Sequence, residues 1–216
     1  MLRQSPKPCA RCGVTSQPRR PERAHGRIEA AMAQSSHPSR ALRRELLSET
    51  SAPASEFVIV SERFEYATQH SSEFIDVTAD VRAVIERSGV AFGQVLIASA
   101  HTTAAVTVQE HEPLLLRDMA RVLERIVPAS DYYEHNDFTI RTDVPEGEPE
   151  NGHSHCQHLL IGASETLPVQ NGEVRLGVWQ SIFLVELDFP PGRFEGEQLR
   201  SITVQVMGLR GEAESG

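Results

Sequence analysis

Alternating apolar and polar residues predict the first ordered segments of the chain. The stretch EFVIVSERFEY, which begins at Glu56, alternates with a period of two, and so does EFIDV, which begins at Glu73. This period is typical of half-buried strands, and the short separation of the two stretches predicts a hairpin.

Three later segments have the spacing of amphipathic helices. DVTADVRAVIERSG repeats apolar residues on one helical face and ends at Gly89, a residue that favours a helix stop. EPLLLRDMARVLERIVP has the same spacing, with Pro113 at its start and Pro128 after its end. SHCQHLLIGA, which begins at Ser154, is compatible with a third helix.

The remaining apolar segments read as strands. GQVLIASA and AAVTV flank a break at His101, ETLPV precedes the turn pair Asn171-Gly172, and EVRLGVWQSIFLVELDF and LRSITVQVMGL follow. The pattern predicts a single α+β domain with largely antiparallel or mixed sheets, seven or eight strands and two or three helices.

The first 53 residues differ from the rest in composition. Residues 1–50 hold ten Arg/Lys against four Asp/Glu, a net charge of +6, and contain no aromatic residue, whereas residues 51–216 hold eleven against twenty-six, a net charge of −15. A Pro-, Ser- and Arg-rich segment cannot bury enough apolar surface to offset the entropy of ordering. We therefore expect a disordered basic extension over residues 1–53, with at most a short helix over residues 41–47. The domain is expected over residues 54–212, with a short tail over 213–216.

Charge and composition exclude several classes of function. An acidic body is a poor partner for nucleic acid, because phosphate neutralisation drives that binding. No apolar run approaches the roughly 18 to 20 residues of a membrane span, so we expect no membrane partner. The CxxC pair of Cys9 and Cys12 lacks the second pair of a zinc ribbon, and only Cys156 remains. A cytoplasmic protein without disulfides is the expected class.

Candidate chemistry is concentrated at the ends of predicted elements. Three histidines and a cysteine fall within NGHSHCQHLL, and two further polar clusters lie at the break after GQVLIASA and in the loop YYEHND. Such a cluster is compatible with metal binding, with acid/base work or with ordinary buried side chains, and the spacing alone does not choose. For Cys156 a buried small side chain is the favoured interpretation.

Several motifs together resemble one known family. HTTAAVTVQEHEPLLLRDMARVLERIVP, YEHND, SHCQHLLIGASETLPVQNGEVRLGVWQSIFLVELD and RSITVQVMG are similar, in this order, to segments of the YjbQ-like family, also identified as secondary thiamine-phosphate synthases. The resemblance covers nearly all of residues 56–209. It implies a homotrimer with sites near the subunit boundaries and a divalent metal, zinc in particular.

The resemblance also assigns residues to the site. His101, His135 and His155 match the family's histidine positions and are implied as the three metal ligands, whereas His153 and His158 match none. Three imidazoles leave an open coordination position, which is the arrangement of a catalytic zinc site.

Of the other matching polar residues, Thr102, Glu110 and Gln180 are implied in catalysis, Glu110 as a general base or as the partner of a ligand. Three positions depart from the family pattern: His111 stands where asparagine is common, Val178 replaces a threonine, and Gln157 replaces a lysine that would suit a phosphate.

Three functions are compatible with the sequence. The first is secondary thiamine-phosphate synthase, as a weak or side activity that joins two small phosphorylated substrates. The second is metal-dependent hydrolysis of a small metabolite, which the open histidine site suits better because the chain has no Gly-rich phosphate loop. The third is a trimeric metal- or ligand-binding protein without turnover.

Overall fold

Nine strands and three α-helices are formed by residues 41–51, 57–188 and 198–210, the parts of the chain that the computed structural model describes. One sheet has six strands in the order β1-β2-β9-β4-β6-β7, and the other has three in the order β3-β8-β5. All pairings are antiparallel. The strands are β1 (Ala41–Ser51), β2 (Phe57–Thr68), β3 (Glu73–Asp76), β4 (Val90–Ser99), β5 (Ala104–Glu110), β6 (Ser164–Gln170), β7 (Glu173–Val174), β8 (Gln180–Glu186) and β9 (Gln198–Arg210).

The main core lies between the two sheets and includes the first helix, α1 (Thr78–Ser88). Alternate residues of β2 and β9 point into it, as the period of two predicts, and α1 adds Val81, Val84 and Ile85 from one face. Gly89 ends α1 with a φ of 67°, a left-handed conformation that glycine adopts without strain. The α+β class expected from the sequence is confirmed.

The other face of the three-stranded sheet is covered by the remaining helices, α2 (Pro113–Ile126) and α3 (Gly152–Ile161). Leu116 and Leu123 of α2 and Ile161 of α3 pack against Phe183, Val185 and their neighbours. β8 therefore has both faces buried, which explains its unbroken apolar sequence. No residue of α2 is fully buried in the single chain, and several of its apolar side chains are exposed: Leu114, Val122 and Ile126.

Two local predictions are wrong. The stretches that form β2 and β3 do not pair as a hairpin, because β2 pairs with β1 and β9 while β3 pairs with β8 in the other sheet. Residues 41–51 form a strand and not a short helix. For β2 and β3 the local pattern indicated the strands but not their partners, and for residues 41–51 it indicated the wrong element, because pairing with β2 is what stabilises this strand.

The first forty residues, with Cys9 and Cys12, lie outside the described residues. The predicted domain boundary near residue 53 stays a prediction. The strand β1 precedes this boundary and pairs with β2, which follows it. None of the described helices combines the length and the apolar character needed to cross a bilayer.

Candidate functional site

Polar side chains gather where β8 ends. The backbone N–H of Leu187 donates to the carbonyl of Thr103 (3.1 Å), in the connection between β4 and β5. The Ser154 hydroxyl at the start of α3 donates to the carbonyl of Leu187 (2.7 Å). These two hydrogen bonds bring the β4–β5 connection and α3 to the same edge of the three-stranded sheet.

A buried ion pair occupies this edge. The Nε and Nη2 atoms of Arg200 donate to the two carboxylate oxygens of Glu186, each at 2.7 Å. Glu186 also accepts hydrogen bonds from the Thr68 hydroxyl and from the backbone N–H of Asp188, each at 2.8 Å. All four lone-pair directions of this buried carboxylate are therefore used, as a buried charge requires.

His101 lies beside this ion pair. Its Nε2 accepts the backbone N–H of Ser201 (3.0 Å), and its Nδ1 is 3.5 Å from Nη1 of Arg200. Burial lowers the pKa of His101 below its usual value, and the positive charge of Arg200 lowers that pKa further. The imidazole is therefore neutral at neutral pH.

His135 and His155 are in ring contact, with centroids 4.8 Å apart and planes at 70°. His135 belongs to a 3₁₀ turn, Glu134–Asn136, and His155 to α3. Burial lowers the pKa of His155, and so does the nearby His135. The backbone of Thr102 raises this pKa through hydrogen bonding, but the net change is a decrease. Because its pKa lies below the usual value, the His155 imidazole is neutral at neutral pH.

The tautomer of His135 follows from its neighbours. The Asn151 amide nitrogen donates to the Asp188 carboxylate (2.6 Å), so the amide oxygen of Asn151 faces Nε2 of His135 at 3.2 Å. An amide oxygen only accepts, so the hydrogen-bond network assigns the proton to Nε2 and a lone pair to Nδ1. Glu148, itself paired with Arg141 at 2.7 Å, lies on the same side of the ring.

The arrangement fits a metal in part. No three His, Cys, Asp or Glu side chains converge as a metal-binding group within residues 41–51, 57–188 and 198–210. His135 nevertheless directs Nε2 at a protein acceptor and retains a lone pair on Nδ1, as histidine ligands of metals generally do, and the His155 ring contacts it. A single chain therefore offers two prepared ligands, and the His101 ring is directed at Ser201 and Arg200.

The three predicted catalytic residues lie at two ends of the same sheet. Thr102 is next to the histidines, and its backbone affects the pKa of His155. Glu110 and Gln180 pair with each other at the opposite end of β5 and β8. Six residues of strand separate Glu110 from Ala104, a distance of about 20 Å, so one chain does not bring Glu110 and Gln180 to the histidines.

The rest of the histidine cluster on α3 lies outside the His135–His155 contact. The His153 ring is 6.3 Å from that of Tyr133. Nδ1 of His153 and Nε2 of His158 are buried without a hydrogen-bond partner among the described residues. Cys156 is exposed, so the interpretation of it as a buried side chain is wrong. A helix of this spacing turns every third or fourth residue inward, and Cys156 falls on its outer face.

Gln157, at the position where the family resemblance leads one to expect a lysine, makes a structural contact. Its side chain is 2% exposed, and its amide nitrogen donates to the carbonyl of Val127 (3.0 Å), immediately after α2. The side chain thus satisfies one of the carbonyls that the end of a helix leaves without an intrahelical partner.

Comparison with known proteins relates this site to one family. A family model described as UPF0047 protein YjbQ-like matches residues 62–209, more than half of the 216-residue chain. The chain belongs to this family. A UPF0047 protein of Methanothermobacter thermautotrophicus is 37% identical over 62% of this chain and 87% of its own length. The UPF0047 protein YugU of Bacillus subtilis is 30% identical over 65% of this chain and 94% of its own length.

Solved structures have the same YjbQ-like fold. The crystal structure of a YbjQ-like protein of unknown function from Sulfolobus solfataricus has a TM-score of 0.60 and 32% identity, over 70% of this chain and 99% of that one. A hypothetical protein of Aeropyrum pernix has a TM-score of 0.57 and 28% identity, over 68% of this chain and 98% of that one.

In this YjbQ-like chain, sequence reasoning missed three residues of the site: Arg200, Asn151 and Asp188. Each is at most 9% exposed. Asn151 stands beside the histidine cluster, and Asp188 follows an apolar strand, so both occupy positions where polar residues are ordinary. The one available signal was Arg200, a charged residue near the start of the final strand. An arginine is rarely buried without a partner, so its place in this strand indicates a buried ion pair.

Proposed function

We propose that the chain is a metal-dependent hydrolase of a small metabolite, with His135 and His155 as metal ligands. The single observation that carries this proposal is the ring contact of two histidines, of which His135 directs Nε2 at the amide oxygen of Asn151. Such second contacts fix the tautomer and the orientation of a ligand. When bound, a divalent metal such as zinc supplies Lewis-acid polarisation of a substrate oxygen.

The chain's own residues prepare this site. Asn151, anchored by Asp188, holds the proton of His135 on Nε2 and leaves Nδ1 free to ligate. Because protonation competes with ligation, a pKa of His155 below its usual value keeps its ligating nitrogen available at neutral pH.

The charges around the site favour hydrolysis over thiamine-phosphate synthesis. A synthase that releases pyrophosphate needs several cationic groups around the leaving oxygens. Here Arg141 is paired with Glu148, Gln157 is buried against Val127, and Arg200 gives two of its three guanidinium nitrogens to Glu186, which leaves fewer cationic donors than such a leaving group requires. A metal- or ligand-binding protein without turnover would have the same two ligands. The number of protein ligands on the metal distinguishes it from an enzyme, because a closed four-ligand site excludes water or substrate.

We also propose that the protein is a homotrimer and that the metal site is completed near a subunit boundary. Exposed apolar side chains of α2, α3 and the segment before β8 support a partner copy: Leu114, Val122, Ile126, Leu159, Leu160, Val178 and Trp179. A second copy is also the means by which Glu110 and Gln180 could approach the histidines. Light scattering is expected to give about three times the 23.9 kDa chain mass, and a monomer at micromolar concentration would contradict the assembly.

Metal analysis tests the hydrolase proposal. The full-length protein is stripped with a chelator, reloaded with Zn²⁺, and assayed for bound metal and for hydrolysis of a panel of small esters, amides and phosphoesters. His135→Ala and His155→Ala are expected to lose most bound metal and all hydrolysis. His70→Ala is the matched control, because His70 is an exposed histidine in the turn between β2 and β3. Unchanged metal content in both site variants would overturn the proposal.

A further inference from the structure

The backbone of β9 determines which nitrogen of His101 carries a proton. The last ladder pair between β4 and β9 joins Ser99 to Ile202, so the N–H of Ser201 lies beyond the end of β4. Nε2 of His101 accepts this N–H at 3.0 Å. A backbone N–H is always a donor, so Nε2 holds a lone pair and the proton of the neutral ring is on Nδ1. The Ser201 hydroxyl, 3.2 Å from Nε2, accepts a hydrogen bond from Nη2 of Arg63 at 3.1 Å, so its own proton is available to Nε2.

The nearest polar atom to this Nδ1–H is also a donor. Nη1 of Arg200 lies 3.5 Å from Nδ1 of His101. The other guanidinium nitrogens of Arg200 have acceptors in Glu186, Thr103 and Asp188. Nη1 has none among the described residues, although Arg200 is only 7% exposed. Two donors therefore face each other with no acceptor from the described chain between them, and a buried donor without an acceptor costs about 1 to 3 kcal/mol.

We propose that Nδ1–H of His101 and Nη1–H of Arg200 bind one oxyanion group of the substrate, a carboxylate or a phosphate. An oxygen that accepts from both donors removes the unfavourable contact and forms a charge-assisted hydrogen bond with the guanidinium. Glu186 balances the charge of Arg200, and Arg63, which donates to the Ser201 hydroxyl and lies 4.0 Å from Glu65, also acts on the His101 ring.

The position of this anion site gives it a role in the proposed hydrolase. Only this role rests on the proposed function; the binding of an anion does not. His101 is adjacent in sequence to Thr102, whose backbone lies close enough to His155 to affect its pKa. An anionic group held by His101 and Arg200 would therefore anchor one end of a substrate beside the histidine pair. His101 is thereby assigned to substrate binding, in contrast to the ligand role that the family resemblance implies.

The tautomer provides a test that requires no variant. In the full-length protein with ¹⁵N-labelled histidine, His101 is expected to have a protonated Nδ1 and an unprotonated Nε2. Titration with acetate and with inorganic phosphate is expected to shift the His101 signals, and the more effective anion identifies the substrate group. A protonated Nε2, or no response of His101 to either anion, would overturn the proposal.

A variant separates this inference from the metal site. His101→Phe is expected to lower the affinity for the effective anion at least tenfold while bound Zn²⁺ stays at the wild-type level, and His70→Phe is expected to change neither. His155→Ala is expected to lose Zn²⁺ and still bind the anion. Retained Zn²⁺ in His155→Ala with lost anion binding in His101→Phe would refute the hydrolase site alone. Loss of Zn²⁺ with unchanged anion affinity in His101→Phe would refute the anion site and support a three-histidine metal site.

Discussion

Arg200 on β9 and Glu186 on β8 form a doubly hydrogen-bonded ion pair that joins the two sheets, with both contacts at 2.7 Å and both side chains buried. The pair lies at the edge where the β4–β5 connection and α3 also meet. Removing two charges from water is costly, and a complete set of hydrogen bonds is what makes such burial tolerable. A change in this ion pair is therefore expected to affect both the candidate site and the packing of the two sheets.

Removing the charge of Glu186 is expected to destabilise the fold strongly. Glu186→Gln leaves the Arg200 guanidinium buried without its counter-ion, which typically costs about 3 to 5 kcal/mol in the free energy of unfolding. Urea denaturation measures the change. Glu173→Gln, at an exposed carboxylate of β7, is the control and is expected to stay within about 0.5 kcal/mol. A loss below about 1 kcal/mol for Glu186→Gln would show that the pair does not hold the sheets together.

Asn151 is expected to control the histidine pair through the tautomer of His135. Asn151→Leu removes the acceptor that faces Nε2 of His135 and the donor to Asp188. Zn²⁺ affinity is expected to fall about 10- to 100-fold, the usual effect of losing such a partner, with a shifted ¹⁵N spectrum of His135. Gln109→Leu, at an exposed amide of β5, is the control. Wild-type affinity together with a mixed tautomer would show that the orientation of His135 has no influence on the metal.

The Gln157 contact with Val127 is expected to stabilise the end of α2. Gln157→Met keeps the approximate volume of the side chain but removes the donor, and a lost hydrogen bond of this kind costs about 1 kcal/mol. Thermal unfolding and amide hydrogen exchange of residues 123–127 measure the effect. Exchange that is no faster at the end of α2 than in α1 would contradict a capping role for Gln157.

The pair of Asp76 and His111 gives a pH dependence whose sign can be stated. Burial alone would raise the pKa of Asp76, but hydrogen bonds from Thr78 and from His111 outweigh it and hold this pKa below its usual value. The unfolded chain then binds the proton more readily than the folded chain. Asp76 therefore stabilises the fold above about pH 4, and this contribution is lost as the pH falls through the lowered pKa.

Asp76→Asn is accordingly expected to cost more stability at pH 6 than at pH 3. The Nδ1 atom of His111 is 2.8 Å from the carboxylate of Asp76, and the backbone N–H of Thr78 is 2.9 Å from it. Chemical denaturation of wild-type and variant protein at both pH values gives the difference. Asp131→Asn, at an exposed carboxylate, serves as the control. Equal losses at the two pH values would exclude a depressed pKa at Asp76.

Truncation is expected to distinguish two parts of the basic N-terminal segment. Deleting residues 1–40 should leave the melting temperature within a few degrees, because these residues are predicted to add no core. Deleting residues 1–53 also removes β1, which pairs with β2, and the ion pair of Arg44 with Glu62. The longer truncation is therefore expected to melt earlier and to aggregate through the exposed edge of β2. Identical melting temperatures would show that β1 does not stabilise the domain.

Local sequence signals predicted the elements well because they act over a few residues. The first turn of α2 begins at Pro113, where proline lacks an N–H that the helix does not use, and Gly89 ends α1 in a left-handed conformation. The same signals did not predict that β2 and β3 belong to different sheets, because a period of two is identical for every antiparallel partner.

The sequence by itself determined the α+β class, the helices, most strands and the histidines at which chemistry is expected. Only the tertiary structure decided which ring nitrogens are available. His135 meets His155 because a 3₁₀ turn packs beside α3, whereas the His101 ring is held by Ser201 because β4 ends two residues before it. The direction of a side chain depends on where separate strands end relative to one another, and this depends on packing between residues far apart in the chain.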